Sequence, residues 1–415
     1  MNDFTLTKAQ SNGLKAAKKW FNSNECCTRP FIISGVAGAG KSTMASLIVK
    51  ELNFEPNGNE VMFVAYTGMA AGVLTKKGVT ACTIHKLIYD PVVVEQTDEN
   101  GKKYEEVIFV RKNYEALEGI KLIIIDEISM VSEKLFNDIK YFNIPIVVSG
   151  DNFQLQPPSQ EKSMGYLLDK PDVLLDETLR VNEDNGIFYV ANAIRNGESL
   201  DYGSYGSEVE IISKEDLTDE MLIESDQILT AKNITVNNIN TYYRGILLNK
   251  TDRFPDKGEK LICLKNNWGQ EIYEDGVYQN LVNGLIGEVK DISIVHNSSE
   301  YSRLDFKPLF FKENLFKGVT MDNLYFSDNI KNDNMLYENY DRYKKVLFNR
   351  KKLLKNLSLK INKFTYGYCI TVYKAQGSEF DNVLYIDEIM NRKTYYNHLY
   401  TAVTRAKKKL YLVIW

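Results

Sequence analysis

Between residues 31 and 43 the chain reads FIISGVAGAGKST. The apolar run before Gly35 has the composition of a short buried strand, and the residues from Ser42 onward (STMASLIV) open a helix. Between them, Gly35 to Ser42 fit G-x-x-x-x-G-K-[ST], so strand, glycine turn and helix follow in the order a phosphate-binding loop requires. Glycines let backbone N–H groups curl around phosphate oxygens, Lys41 brings a point charge to the β and γ phosphates, and Ser42 offers a hydroxyl to Mg²⁺. Gly35, Gly38, Gly40, Lys41, Ser42 and Thr43 are therefore the candidate ligands of a nucleotide.

Outward from this loop, EVMFVAYT, KLIIIDE and IPIVVSGD are further apolar runs that end in polar or glycine turns. Continuous runs of this kind suit a parallel sheet covered on both faces, and the helical stretches between them give an α/β architecture. KLIIIDE ends in Asp126 and Glu127: one carboxylate suited to hold Mg²⁺, a second suited to act as general base for hydrolysis. Isolated, the pair would be two solvated acids at a strand end. After IPIVVSGD, Gln154 brings a neutral amide that can touch a γ-phosphate or its attacking water; alone it would be a surface residue in a turn.

The same α/β rhythm returns near the C-terminus in GYCITVYKAQG, DNVLYIDE and KKLYLVIW. Two stretches interrupt it. Residues 88–112 have the pattern of a hairpin, with PVVVEQ and EEVIFVRK flanking DENGKK, whose Asn-Gly is a strong hairpin-turn signal. Residues 256–361 begin with small β-like pieces and end in a Tyr- and Lys-rich helical stretch. Within it, Lys331 to Lys363 hold ten Lys/Arg against three Asp/Glu, a local +7. Two α/β cores, each with an inserted subdomain, are expected.

The 415 residues carry 44% hydrophobic and 26% charged side chains with a net charge of −4, an ordinary globular balance that leaves room for a local nucleic-acid channel. Five cysteines without a C-x-x-C pair and three histidines argue against a disulfide framework or a structural zinc site. The opening MNDFTLTKAQ lacks a basic start with an apolar run, and no stretch approaches a membrane helix, so a cytoplasmic setting without membrane association is expected.

The series GVAGAGKST, AYTGMAA, IIIDEISM, GDNFQLQP, TVYKAQGSEFD and YTAVTRAKK, in this order, resembles the motifs of superfamily 1B DNA helicases, in particular the RecD/Dda-like branch. The resemblance spans Gln10 to Arg405. It implies two RecA-like cores, with ATP and Mg²⁺ as cofactors, and an ATP-dependent 5′→3′ helicase acting on single-stranded DNA and on single-strand/duplex junctions as a monomer. Replication, repair or recombination would supply its protein partners. The implied division is a first core (1–87 and 113–175), a hairpin wedge (88–112), a second core (176–255 and 362–415), and an SH3-like and helical insertion (256–361).

Residue by residue, the resemblance makes Gln10 the adenine reader, although Thr7 before it is also a plausible helix cap. Arg405 and Arg180 become arginines that reach the γ-phosphate when the cores close, and Glu379 the acid that binds the ribose. The DNA track would comprise Tyr66, Thr67, Thr83 and His85 on the first core and Asn233, Asn240, Thr371, Lys374 and Ser378 on the second. Hydroxyls, amides and an aromatic of this kind suit sequence-neutral backbone contact and base stacking. Tyr104 and Phe109 are the wedge candidates on the hairpin, or else aromatics that pack it down. The +7 stretch, including Lys344, Lys345, Lys351 and Lys352, would line the DNA path or form a solvated helix face.

Two departures stand out: Tyr373 occupies a position where these helicases usually carry His, and GDNFQLQPP lacks the usual valine after its first proline. Two other readings stay open. One is an ATP-gated DNA-binding or remodelling translocase that separates no strands. The other is a superfamily 1 helicase of opposite polarity, although Gln376-Gly377-Ser378-Glu379-Phe380 and the short β-type insertions differ from that branch.

Overall fold

The computed structural model describes residues 6–97, 103–156, 162–175, 185–252, 254–274, 277–294, 301–323, 326, 361–388 and 392–414. Arg180, the side chain of Tyr104, the hairpin tip 98–102 and most of the +7 stretch, with Lys344, Lys345, Lys351 and Lys352, lie outside the described residues. The chain divides into two units, Met1–Asn182 and Glu183–Trp415.

In the first unit, α1 (Lys8–Phe21) is followed by β1 (Phe31–Gly35), α2 (Lys41–Glu51), β2 (Val61–Ala65), α3 (Gly68–Lys76), β3 (Ala81–Thr83) and α4 (Ile84–Ile88). An antiparallel pair comes next, β4 (Tyr89–Thr97) and β5 (Lys103–Arg111), then β6 (Leu122–Ile125), α5 (Glu133–Lys140), β7 (Ile146–Gly150) and β8 (Val173–Leu175). Six strands form one sheet in the order β3-β2-β6-β7-β1-β8, and every pairing is parallel.

Alternation along each strand explains the two layers. Phe31, Ile33, Leu122 and Ile124 pack with Trp20, Met44 and Ile48 on the α1/α2 face. Ile32, Ile123 and Ile125 pack with Leu135, Phe136 and Ile139 on the α5 face. Both faces are buried, which is why the strands read as unbroken apolar runs. Parallel pairing sends all carboxyl ends of these strands to one edge, where ligands of open α/β sheets bind.

The expected hairpin is present. β4 and β5 pair without a break from Tyr89↔Arg111 to Thr97↔Lys103, on either side of the undescribed residues 98–102. Its root is tied to α5 through Asp138, which accepts from the Tyr89 hydroxyl at 2.6 Å and from Arg111 at 2.7 Å. The Arg111 guanidinium also lies 3.8 Å from the Tyr141 ring centroid.

In the second unit, α6 (Gly186–Asn196), β9 (Gly203–Tyr205), β10 (Val209–Ile212), α7 (Asp219–Glu224), β11 (Gln227–Thr230) and α8 (Asn233–Tyr242) come first, and α8 runs into a π-helical turn, Tyr243–Leu247. An all-β insertion follows: β12 (Lys260–Cys263), β13 (Asn267–Glu274), β14 (Val277–Leu281), β15 (Ile286–Ile294), β16 (Tyr301–Pro308), β17 (Phe316–Asp322) and β18 (Phe364–Tyr366). The chain returns through β19 (Cys369–Thr371), α9 (Val372–Ala375), β20 (Phe380–Ile386), α10 (Arg392–Val403) and β21 (Ala406–Val413).

The core sheet has the order β19-β11-β20-β21-β10-β9, parallel except for the edge strand β9. The insertion forms its own antiparallel sheet, β17-β16-β15-β12-β18, with β13-β14 as a separate pair, around a core that includes Leu261, Val289, Phe306, Phe316 and Phe364. Its sheet takes in β18, so the insertion's pairing extends to Tyr366, beyond the expected 361. A buried ion pair anchors its entry: Arg244 in the π-helical turn donates to Glu259 at 3.0 Å.

Asp138→Ala should release the hairpin root while leaving the sheet intact. Hydrogen exchange of the amides in β4 and β5 should accelerate by at least about tenfold, roughly one lost charge-assisted contact, with the β1 and β6 amides unchanged. Unchanged exchange in the hairpin would show that Asp138 does not hold it.

Candidate active site

The phosphate loop is shaped by its neighbours. β8 pairs Leu175 against Gly35, and a Cβ on Gly35 would lie 2.5 Å from the Leu175 carbonyl oxygen, so only glycine fits. Gly38 and Gly40 have φ of 81° and 82°, in the region that glycine enters without strain. Gly40 is the N-cap of α2, which presents its open N–H groups to the loop. Lys41 is buried, and its ammonium donates to the carbonyls of Gly35 at 2.9 Å and Val36 at 3.0 Å. A helix N-terminus and a held cation together make an anion site.

Asp126, just past β6, is oriented by its neighbours. Its Oδ1 accepts from Ser149 Oγ at 2.7 Å and from the Glu127 N–H at 3.1 Å, leaving Oδ2 toward Ser42 Oγ, 3.5 Å away. Hard oxygen donors this close fit Mg²⁺, and Ser42 and Asp126 are the residues that would hold it. Ser149 escaped the sequence reading, although its place at the end of IVVS beside the acidic strand was a usable signal. Glu127 has φ of 52°, an uncommon conformation for a residue with a side chain and one that clusters at functional sites.

Gln154 is 2% exposed, and its Oε1 has no hydrogen-bond partner among the described residues. The buried Asp151 before it accepts from the Phe153 N–H at 3.0 Å, which sets the turn after β7. An unsatisfied buried acceptor beside the phosphate edge is suited to a polar ligand or water. Gln10 is buried as well, but its Oε1 accepts from the Thr7 N–H at 3.0 Å while Thr7 caps α1 in return. The amide N–H₂ and the second lone pair of Oε1 leave Gln10 able to read adenine with the cap intact. Thr43 is exposed on the first turn of α2.

Thr67, Thr83 and Thr371 occupy one recurring position. Each follows a strand's carboxyl end and caps the next helix, accepting from Ala70, Lys86 and Lys374 N–H respectively. Accepting leaves the hydroxyl proton available to donate. Beside them in the first unit, the Tyr66, His85 and Phe109 rings form a chain, with centroids 6.1 Å and 5.8 Å apart. Burial lowers the His85 pKa, which favours the neutral ring. Phe109 sits opposite Pro91 at the root of the hairpin rather than near its tip, whereas Tyr104 pairs with Gln96 further out.

In the second unit, Asn240 Nδ2 donates to the Tyr366 and Cys369 carbonyls, and its Oδ1 accepts from the Cys369 N–H at 2.8 Å. The buried amide joins α8 to the backbone at β18 and β19, which gives it a structural task that the sequence did not show. Asn233 is exposed at the start of α8. Ser378 is 3% exposed, its hydroxyl enclosed without a partner among the described residues. Lys374 is half-buried, which lowers its pKa. Glu379 has Lys407 3.9 Å away.

Arg405 is buried and donates to the Thr401 carbonyl at 3.0 Å, the Ser378 carbonyl at 2.9 Å and the Thr404 hydroxyl at 3.1 Å. All three acceptors are neutral, and no carboxylate pairs with it among the described residues. Its bond to Ser378 links YTAVTRA directly to QGSEF. Tyr373 lies edge-on to His398, a fully buried ring of α10, with centroids 6.3 Å apart.

A sheet-edge phosphate loop with a serine–aspartate pair defines a P-loop nucleotide-binding fold, here followed by a second parallel-sheet core. The AAA domain family matches residues 14–215, and the UvrD-like helicase C-terminal domain family matches residues 366–413. The ATP-dependent DNA helicase dda of Enterobacteria phage T4 is 30% identical over 203 residues, 46% of this chain and 43% of that protein. The RecBCD enzyme subunit RecD of Buchnera aphidicola is 23% identical over 91% of this chain and 69% of that protein. Less than half the length of the phage protein is thus matched. The fold is shared with the crystal structures of Pif1 helicase from Candida albicans (TM-score 0.53, 17% identity, 99% and 95% of the two chains) and of Pif1 from Bacteroides in complex with ADP-AlF3 and ssDNA (TM-score 0.52, 17% identity, 99% and 92%). In sequence the chain is thus similar to DNA helicases that include Dda and RecD, and it shares the fold of the Pif1 helicases.

Two outcomes follow from this geometry. Lys41→Ala should weaken binding of a fluorescent ATP analogue by at least about tenfold, the loss of one buried charge-assisted contact, without lowering the melting temperature; unchanged binding would remove Lys41 from the site. Burial also holds the His398 pKa down to about 4 from 6.5. Between those values the unfolded chain takes up a proton that the folded chain does not, so this residue's contribution to stability rises with pH across that window. Urea unfolding at pH 5 and pH 7 should therefore show a smaller pH difference in His398→Asn than in wild type.

Proposed function

We propose that this protein is an ATP-driven motor that moves 5′→3′ along single-stranded DNA and separates duplex ahead of it. The observation that carries the reading is the Ser42–Asp126 pair next to Glu127. A binding switch needs only a phosphate cradle, whereas a carboxylate beyond the metal-holding one is what hydrolysis requires. Lys41 would neutralise the β and γ phosphates, Glu127 would take the proton of the attacking water, and Gln154 would register whether the γ-phosphate is present. Mg²⁺, held by Ser42 and Asp126, would supply positive charge to the phosphate oxygens.

The second core would complete the site through Arg405, whose neutral hydrogen-bond partners leave its charge uncompensated. Arg180 is the second candidate for this role. A buried cation without a counter-ion gains most from an approaching anion, so ATP would favour the closed arrangement of the cores and hydrolysis would relax it. Gln10 and Glu379 would hold the base and ribose.

DNA would run over the threonine-capped turns at Thr67, Thr83 and Thr371, with Asn233, Lys374 and the Ser378 loop adding contacts on the second core. The Tyr66–His85–Phe109 rings offer a stacking surface that leads to the hairpin, whose outer part, with Tyr104, would meet the junction. The corresponding domain assignment is a first core (1–87 and 113–175) with its hairpin (88–112), and a second core (176–255 and 367–415) with its insertion, extended from the expected 256–361 to residue 366 by the pairing of β18. The names of the relatives, DNA helicases in phage and bacteria, and a fold neighbour solved with ssDNA support this reading.

The test uses fluorophore-paired duplexes with a 5′ tail, a 3′ tail or blunt ends, alongside ATPase assays with and without single-stranded DNA. Stimulated turnover with release of the 5′-tailed duplex alone is expected. Release of the 3′-tailed form alone would reverse the polarity. Stimulated turnover without strand release would leave a translocase, and turnover indifferent to DNA would refute the motor.

A further inference from the structure

We infer that Glu388, with the Asp387–Tyr385–His398 chain behind it, is a positioning element that fixes the two turns through which the second core would grip a strand; this rests on the DNA-motor reading above. The first turn joins β11 to α8. Its donors converge on one carboxylate: Glu388 Oε2 accepts from Thr230 Oγ1 at 2.5 Å and from the N–H groups of Ala231 and Lys232 at 2.9 Å and 2.7 Å. Glu388 Oε1 accepts from Thr235 Oγ1 at 2.5 Å. Lys232 and Asn233, held between these anchors, are exposed. Burial raises the Glu388 pKa, but the bonds from Thr230, Thr235, Lys232 and Ala231 outweigh it, and the group sits below its ordinary value. It is an ionised staple.

The staple continues inward. Asp387 Oδ1 accepts from the Glu388 N–H at 2.9 Å and the Tyr385 hydroxyl at 3.2 Å, and its Oδ2 accepts from the Tyr395 hydroxyl at 2.6 Å. Tyr385 spends its proton on Asp387, so its oxygen takes the proton of His398 Nδ1, 3.1 Å away. That pattern assigns the neutral tautomer with hydrogen on Nδ1. It leaves only a lone pair, Nε2, without a partner among the described residues. The His398 ring then meets the edge of Tyr373, between Thr371 and Lys374 in the second turn. A path of hydrogen bonds and ring contact therefore runs from Lys232 and Asn233 to Tyr373 beside Lys374, alongside the direct pairing of Thr230 on β11 with Thr371 on β19.

The path also bears on Tyr373. A tyrosine there packs against a histidine that α10 supplies, so the imidazole is present in this core but turned to structural use. Its neutral state keeps the path uncharged except at the two carboxylates.

The experiment measures ATPase activity against single-stranded DNA concentration in wild type, Glu388→Gln, Thr235→Val and Thr235→Ser, with thermal melting of each. Glu388→Gln replaces an acceptor of four donors by an amide that can accept at one atom only. The DNA concentration for half-maximal activity should rise about tenfold in Glu388→Gln and by about threefold in Thr235→Val. The DNA-free rate and the rate at saturating DNA should stay within about twofold, and Thr235→Ser should behave as wild type. Wild-type half-saturation in both Glu388→Gln and Thr235→Val would overturn the inference while leaving the motor reading standing. So would a fall of saturated rate and melting temperature together, since that marks general loosening. A wild-type ATPase that ignores DNA would instead sink the motor reading and this inference with it.

Discussion

Parallel pairing is the constraint on which the site depends. β1, β6 and β7 lie side by side and point the same way, so the residues that leave their carboxyl ends must meet at one edge. Lys41 and Ser42 leave β1, Asp126 and Glu127 leave β6, and Ser149 and Gln154 flank the end of β7. No long-range design beyond strand direction is needed to gather them. The close contact at Gly35 shows how narrow the tolerance is, because the strand that closes the edge presses its carbonyl where a side chain would stand.

The second core repeats the device with different contents. Among the described residues its parallel strands gather no phosphate loop. They gather Thr371 at the end of β19, Thr230 at the end of β11 and Asp387 and Glu388 at the end of β20. Buried carboxylates are costly unless fully hydrogen-bonded. Here the donors are the turns themselves, so satisfying Glu388 and ordering Lys232 and Asn233 are the same event. Arg405 follows the opposite logic: a buried charge solvated by neutral carbonyls and a hydroxyl, and so disposed toward an anion.

What could be seen in the sequence was set by range. The phosphate loop, the Asp126–Glu127 strand end and the hairpin are local patterns, carried by a handful of consecutive residues, and each has its expected structure. The Thr7 cap was legible for the same reason. The structural task of Asn240 was missed because its amide bonds to backbone more than a hundred residues away, at Tyr366 and Cys369, and no local pattern reports that. The Glu388 staple was missed for the converse reason: its acceptor and donors are separated by some 150 residues, and DEIMN alone looks like a solvated loop. Phe109 was recognised as an aromatic on the hairpin, but its place at the root follows from the pairing register and from contact with His85.

The proposed motor requires that a nucleotide bound at the phosphate loop also engage the second core and that hydrolysis end that engagement. The most direct measurement attaches one fluorophore to each core, through Tyr141→Cys and Tyr202→Cys with Cys26 and Cys27 replaced by serine, both labelled positions being exposed. Energy transfer is then followed as ATP, a transition-state analogue and ADP are bound in turn. The proposed motor should show a distance that changes with the transition-state analogue, reverts with ADP, and does neither in Lys41→Ala. An inter-core distance that is the same in all three states would contradict it.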